Sequence, residues 1–349
     1  MGIKAVGMIS GGLDSTIAAC LMQRLGIEVL GVNFSTGFCL TDHQRLIANF
    51  SPADSKRRAK KLRNEALRAG SDLRFPVEII DISAEYLPVV TNPKYGYGSA
   101  MNPCIDCRIF MLSRARKYME EVGGSFVFTG EVLGQRPMTQ HRNTLALIAR
   151  QSGLGGLLIR PLSAKLLSPT IPEKEGWVKR NDLLDVHGRG RTTQMELAQA
   201  WGIDDYPQPA GGCCFLTDHN FARRLKDLLD HRPHAELHHQ DFVLLKIGRH
   251  MRLSDRTKLI LGRDQGENEY IERFLSAYPQ IKPDSIPGPT GVFQGTPLSV
   301  DIELAAGIAA HFTAPASQER VTFSISGLND PYTIGAHPLP PERIEPFRL

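Results

Sequence analysis

Over its first half the chain alternates two hydrophobic rhythms. Residues 4–9 (KAVGMI) are a short apolar run of the kind a buried strand shows, and residues 16–25 place apolar side chains at helical spacing. Strand-like runs return at 28–34 (EVLGVNF), 75–82 and 125–129, with helical stretches at 53–69 and 104–122 between them. This order predicts an α/β fold, a doubly wound, mostly parallel sheet with helices on both faces. Ligands of such sheets bind outside the carboxyl ends of the strands. Residues 174–201 read as helical in two pieces, and 205–218 as a loop punctuated by Pro207, Pro209, Gly211 and Gly212. A different texture starts near Phe221. Strands are expected at 242–247, 258–262 and 321–326, with one apolar stretch at 302–312 among Pro and Gly, which predicts a smaller α+β module. The expected division is 1–170 for a nucleotide-binding domain, 171–220 for a cysteine-bearing extension and 241–349 for the second module.

Composition narrows the setting. The 349 residues suit about two or three domains. No apolar run is long enough to span a bilayer, and the first residues lack a signal-peptide pattern, so a cytoplasmic protein without membrane attachment is expected. In such a compartment the six cysteines are not expected to form structural disulfides. A net charge of +4 admits a polyanionic partner without requiring one.

The chemistry starts at Ser10-Gly11-Gly12-Leu13-Asp14-Ser15-Thr16, between the first strand and the first helix. Gly11 and Gly12 permit a sharp turn and close approach of a ligand. The hydroxyls of Ser10, Ser15 and Thr16, with the free N–H groups of a helix start, make an anion site suited to a pyrophosphate. A plain Gly-Gly turn with a capping serine is the competing interpretation. The run lacks the lysine and spacing of a Walker A loop. It resembles the PP-loop of ATP pyrophosphatases, which implies ATP and Mg²⁺, with Asp14 facing the metal or the pyrophosphate. Gly130 and Arg136, after the fourth strand, are expected to border the nucleotide.

Cys104 and Cys107 open a helix behind Asn102-Pro103, a position that lowers thiol pKa values, and Cys213 and Cys214 follow Gly211-Gly212. Three interpretations stay open. One is a redox pair joining Cys104 or Cys107 to Cys213 or Cys214. Another is a metal centre on Cys104, Cys107 and one of Cys213 or Cys214, where three thiolates suit a [4Fe–4S] cluster with one open iron and four would suit zinc. The last is small buried hydrophobes. Asp106 serves either as a general acid or base or as a carboxylate at a helix start. Cys20 fits the core; Cys39 is undecided. His231, His234, His238 and His239 read as an exposed linker before a metal site.

The loop at 10–16, Asn-Pro-Cys104, Thr129-Gly130 and Gly-Gly-Cys213-Cys214-Phe-Leu-Thr-Asp occur in an order that resembles tRNA thiouridine synthetases, both the 4-thiouridine and the 2-thiouridylase groups, over about residues 3–218. The resemblance implies adenylation of a uracil carbonyl oxygen, release of pyrophosphate and replacement of that oxygen by sulfur. It also implies tRNA and a sulfur donor, a desulfurase-derived persulfide or sulfide, as partners; a homodimer is admitted but not required. Neither a THUMP domain nor a rhodanese-like tail is read. Residues after Leu244 resemble an NFACT-type RNA-binding module. There Lys246, Arg249, Arg252, Lys258 and Arg263 are expected to share a phosphate-contacting face. Other classes remain: an amide-forming PP-loop ligase, a metal-containing RNA-binding protein without catalysis, and sulfur transfer to a small molecule or protein.

Overall fold

The computed structural model describes residues 2–40, 63–208, 214–233, 237–274, 278–313, 320–328 and 330–349. They fall into two compact units, Met1–Cys39 with Arg63–Thr217, and a second containing Asp218–Leu349.

The first unit is built as the hydrophobic rhythm demands. Strands β1 (Lys4–Met8), β2 (Glu28–Ser35), β3 (Val77–Asp81), β4 (Phe126–Thr129) and β5 (Leu158–Ile159) form a parallel sheet in the order β3-β2-β1-β4-β5. Adjacent residues of each strand serve opposite faces. Ala5, Val29, Phe126 and Phe128 pack with Ile17 and Leu21 of α1 (Leu13–Arg24). Val6, Val32 and Val127 pack on the other side with residues 112, 115 and 119 of a long helix, Cys104–Glu121, and with Ile148 of another, Arg142–Gln151. The doubly wound α/β class is therefore present, and the order reverses at β1, between β2 and β4. Cys20 is a core residue whose thiol burial pushes up, against the nearby Arg24 charge.

In chain order the remaining helices of this unit are α2 (Glu65–Leu73), α3 (Ser83–Thr91), α4 (Cys104–Glu121), α5 (Arg142–Gln151), α6 (Ile171–Lys174) and α7 (Thr192–Ala200). Two expectations need correction here. The helix expected at 53–69 is described only from Glu65, where Asn64 Oδ1 accepts from the Ala66 and Leu67 N–H groups at 2.9 and 3.1 Å. It runs on to Leu73, and Lys56, Arg57, Arg58, Lys60 and Lys61 lie outside the described residues. The two helical pieces expected across 174–201 reduce to one turn ending at Lys174 and the helix at Thr192–Ala200. Between them Arg180 donates to Glu173 Oε1, Lys165 O and Leu167 O at 2.6–2.9 Å, holding the segment as a loop.

The second unit begins with α8 (His219–His231) and α9 (His239–Leu244). Strands β6 (Arg249–Ser254), β7 (Thr257–Leu261), β8 (Gln280–Pro283), β9 (Gly291–Gly295), β10 (Val321–Ser326) and β11 (Tyr332–Ala336) make an antiparallel sheet in the order β11-β10-β8-β9-β7-β6. Its core sets Met251, Leu259, Phe293, Phe323 and Ile325 against Ile302, Ala305, Ile308 and Ala309 of the apolar helix Ser299–His311. The strand expected at 242–247 is instead the end of α9 and the turn that follows it. Asp241 Oδ2 accepts the His238 N–H at 2.9 Å and starts a helical turn, so the apolar run satisfies its backbone locally. Among the described residues no helix is long and apolar enough to cross a membrane.

Candidate active site

The loop after β1 runs into α1 at the sheet's reversal point, the place where sheets of this kind bind their ligands. Gly11 takes φ +76°, and a Cβ there would meet the Glu65 backbone at 2.2 Å. Arg68, buried in α2, donates to Gly11 O at 2.9 Å while bonding Glu65 and Asp72, so α2 braces the loop from behind. Ser15 Oγ and Thr16 Oγ1 donate to Gly12 O at 2.9 and 3.1 Å, and Ser15 Oγ lies 3.1 Å from Ser10 Oγ. Ser15 and Thr16 are buried and shape the turn; Ser10 is the hydroxyl left exposed. The first N–H groups of α1 have no carbonyl within the helix to bond.

Gly130, at the end of β4, abuts the start of α1 so closely that a Cβ would stand 2.5 Å from the Asp14 carbonyl carbon and the Ser15 nitrogen. Asp14 Oδ2 accepts from Gln135 Nε2 at 3.1 Å, and its buried Oδ1 has no hydrogen-bond partner. Gln135 thus reaches Asp14, whereas Arg136 is exposed and its backbone N–H is taken by Gln140 Oε1 at 3.0 Å. Beside Gly130, Glu131 is buried. Burial alone would raise its carboxyl, but the charges of Arg160 and Arg108 and the hydrogen bonds from Arg160 and Thr129 bring it below its ordinary value. Arg160 Nε bonds Oε2 at 2.8 Å, and Arg108 Nε stands 3.5 Å from Oε1.

Arg108 belongs to α4, the helix that Cys104 and Cys107 open. Asn102 Nδ2 donates to Cys104 Sγ at 3.1 Å and lies 3.3 Å from Met138 Sδ, tying the cysteine turn to the loop after β4. Cys104 thus stands in the first turn of α4 with an N–H donor on its sulfur. Asp106 is engaged through both carboxylate oxygens, which accept the Lys94 and Tyr95 N–H groups, each at 3.0 Å, so it fastens that loop to the helix.

Cys214 lies opposite Cys39 in an isolated antiparallel bridge. Phe38 packs on Tyr86 (centroids 5.9 Å apart), and Tyr86 on Phe110 of α4 (6.0 Å). An aromatic chain therefore links the Cys39–Cys214 bridge to the helix of Cys104 and Cys107. Cys39, left undecided on sequence, was hidden because its partner is far along the chain; Glu131, Arg108 and Arg160 were hidden for the same reason. Cys213 lies outside the described residues, and with it the metal centre that would use Cys213 beside Cys104 and Cys107. Among the described residues no three His, Cys, Asp or Glu side chains form a group able to hold a metal ion.

The basic face expected in the second unit is not assembled. Lys258 is fully buried, and Arg252 and Lys258 both turn onto Asp227: Arg252 Nε and Nη2 bond its two oxygens at 2.8 and 2.6 Å, with Lys258 Nζ at 3.3 Å. Arg263 Nε lies 3.0 Å from both oxygens of buried Glu267. Lys246 is buried, and Arg249 donates to Gly262 O at 3.0 Å with its guanidinium over the Phe312 ring. Lys246 and Lys258 thus lie inside the unit and Arg252 is committed to Asp227, while Arg263 stays exposed, so the five do not share one open face.

Comparison with known proteins divides the chain in the same two textures. Residues 3–149 match the tRNA methyl transferase HUP domain, and residues 248–348 the NFACT protein RNA binding domain. The tRNA-specific 2-thiouridylase MnmA of Syntrophotalea carbinolica is 30% identical over 126 residues, 35% of this chain and 32% of that protein. A probable tRNA sulfurtransferase of Lysinibacillus sphaericus is 28% identical over 132 residues, 38% of this chain and 28% of that one. The chain spans about a third of the length of the curated relatives it matches. A solved 4-thiouridine synthetase–RNA complex with bound ATP aligns with 57% of this chain and 41% of its own, at 21% identity and a TM-score of 0.35.

Proposed function

We propose that this chain, whose first unit belongs to the PP-loop, tRNA-thiouridylase-like family and whose second carries an NFACT-type domain, is an ATP-dependent tRNA sulfurtransferase. The observation that carries the reading is convergence. The glycine turn, the open oxygen of Asp14 and the Cys104 turn meet around Gly130 and Glu131 at the sheet's reversal point. An amide-forming ligase of the same fold has no need of thiols there.

A uracil carbonyl oxygen is a poor leaving group, and adenylation makes it a good one. The helix-start N–H groups after Gly12 hold the pyrophosphate end of ATP. Asp14, with one buried oxygen lacking a protein partner, suits a divalent cation. Such an ion supplies charge compensation for the phosphates when bound. Gln135 orients the Asp14 carboxylate, and Glu131, held ionised by two arginines, fixes the loop after β4 against α4. Cys104 and the bridge at Cys214 then provide sulfur chemistry on the activated carbon. The NFACT-type domain contributes RNA affinity.

The test is incubation of the full chain with unmodified tRNA, ATP and a ³⁵S-labelled protein persulfide. The expected result is thiouridine in the RNA with AMP and pyrophosphate released in equal amounts. Formation of ADP, or AMP release with no label in the RNA, overturns the reading.

A further inference from the structure

The hydrogen bonding beside Cys39 and Cys214 fixes what kind of pair they form. Phe215 N–H donates to Phe38 O at 3.0 Å, one residue after Cys214 and one before Cys39. In an antiparallel ladder, residues flanked in that way are a non-hydrogen-bonded pair, with Cα atoms about 4.5 Å apart and side chains on the same face. A disulfide requires Cα atoms about 4.4–6.8 Å apart. A sulfur–sulfur bond can therefore close here without moving the backbone. Both ends are anchored: Phe38 is buried against Tyr86, and Thr217 Oγ1 donates to Cys214 O at 2.8 Å. Thr36 Oγ1 stands 3.7 Å from Cys39 Sγ. Both cysteines are half-buried, within reach of a solution reductant.

We propose that Cys39 is the resolving thiol for sulfur carried on Cys214, an inference that rests on the thiolation reading. A protein persulfide passes its outer sulfur to Cys214. That terminal sulfur attacks the adenylated carbon of the base, expels AMP and leaves a Cys214 Sγ–S–C linkage. The Cys39 thiolate, its proton released to solvent, attacks Cys214 Sγ. The Sγ–Sγ bond forms, the Sγ–S bond breaks, and the electron pair leaves with the sulfur on the base, which becomes the thiocarbonyl. A dithiol reductant then returns two electrons to the Cys39–Cys214 disulfide for the next cycle. Sequence alone paired the cysteine loop at 213–214 with Cys104 or Cys107; the bridge gives Cys214 a different partner.

The experiment is one turnover of the full chain without reductant, followed by alkylation, non-reducing digestion and mass mapping. The expected product is a peptide pair joined through Cys39 and Cys214. In the C39S variant the Cys214–RNA mixed disulfide accumulates, dithiothreitol releases it, and multiple turnover falls more than tenfold until a small thiol is added. A disulfide joining Cys214 to Cys104 or Cys107, or wild-type multiple turnover by C39S, overturns the proposal. A wild-type protein that makes no thiolated RNA contradicts the thiolation reading itself. Diamide oxidation of the resting protein then judges the pair on its own: a Cys39–Cys214 link supports the geometry, and its absence overturns this inference alone.

Discussion

Asp14 and Asp227 are two carboxylates in polar, partly buried settings with opposite fates. Asp227 in the second unit has both oxygens taken by the Arg252 fork, with Lys258 and His231 close by. Asp14 in the first unit spends one oxygen on Gln135 and keeps the other buried without a hydrogen-bond partner. A closed carboxylate holds structure together, whereas an open one beside a helix start and a glycine turn is available to a ligand. The density of basic residues in the sequence points to Arg252 and Lys258 as phosphate contacts; the structure commits both to Asp227.

The largest expected effect comes from filling the open side. Asp14→Asn removes the charge and lowers AMP formation by about 100-fold or more while thermal unfolding stays in place. Wild-type turnover in that variant would make Asp14 as structural as Asp227. Next is opening the closed side. Asp227→Ala leaves Lys258 buried without its partner and costs about 3–5 kcal/mol of stability in urea unfolding. A stable variant with weakened RNA binding would instead restore Arg252 and Lys258 as RNA contacts.

A smaller effect comes from pH. Burial, with the positive charges of Lys258 and Arg224, holds His250 well below its ordinary value, so it stays neutral in the fold. Below about pH 6.5 the unfolded chain binds a proton that the folded one refuses, and stability falls as pH drops, by up to about 1.4 kcal/mol per pH unit. Melting at pH 7 and pH 5.5 measures the slope, and His250→Gln is expected to flatten it. Smallest is Asp106→Asn. Loss of a charged acceptor for the Lys94 and Tyr95 N–H groups costs about 1 kcal/mol of stability, with the pH profile of AMP formation unchanged. A shifted profile would return Asp106 to the chemistry.

The parallel sheet and its first loop were legible because their signals are local: alternating apolar runs, and two glycines between a strand and a helix. The run at 242–247 is ambiguous because a short apolar stretch looks alike in strand and helix, and the deciding hydrogen bond is the one Asp241 accepts from the His238 N–H. The inward turn of Arg252 and Lys258 is not legible in the sequence because their acceptor, Asp227, lies 25 residues before Arg252. The bridge of Cys39 with Cys214 had no local signature, since pairing across so many residues exists only once the sheet is formed.

We propose that ATP, gripped by its pyrophosphate end at the loop after β1, is spent on a uracil carbonyl oxygen. Transfer RNA carrying ¹⁸O in its uracil carbonyl groups, turned over with ATP and a protein persulfide, tests it most directly. The account predicts ¹⁸O in the phosphate of the released AMP, one atom for each thiouridine formed. Thiouridine formed with unlabelled AMP would contradict it.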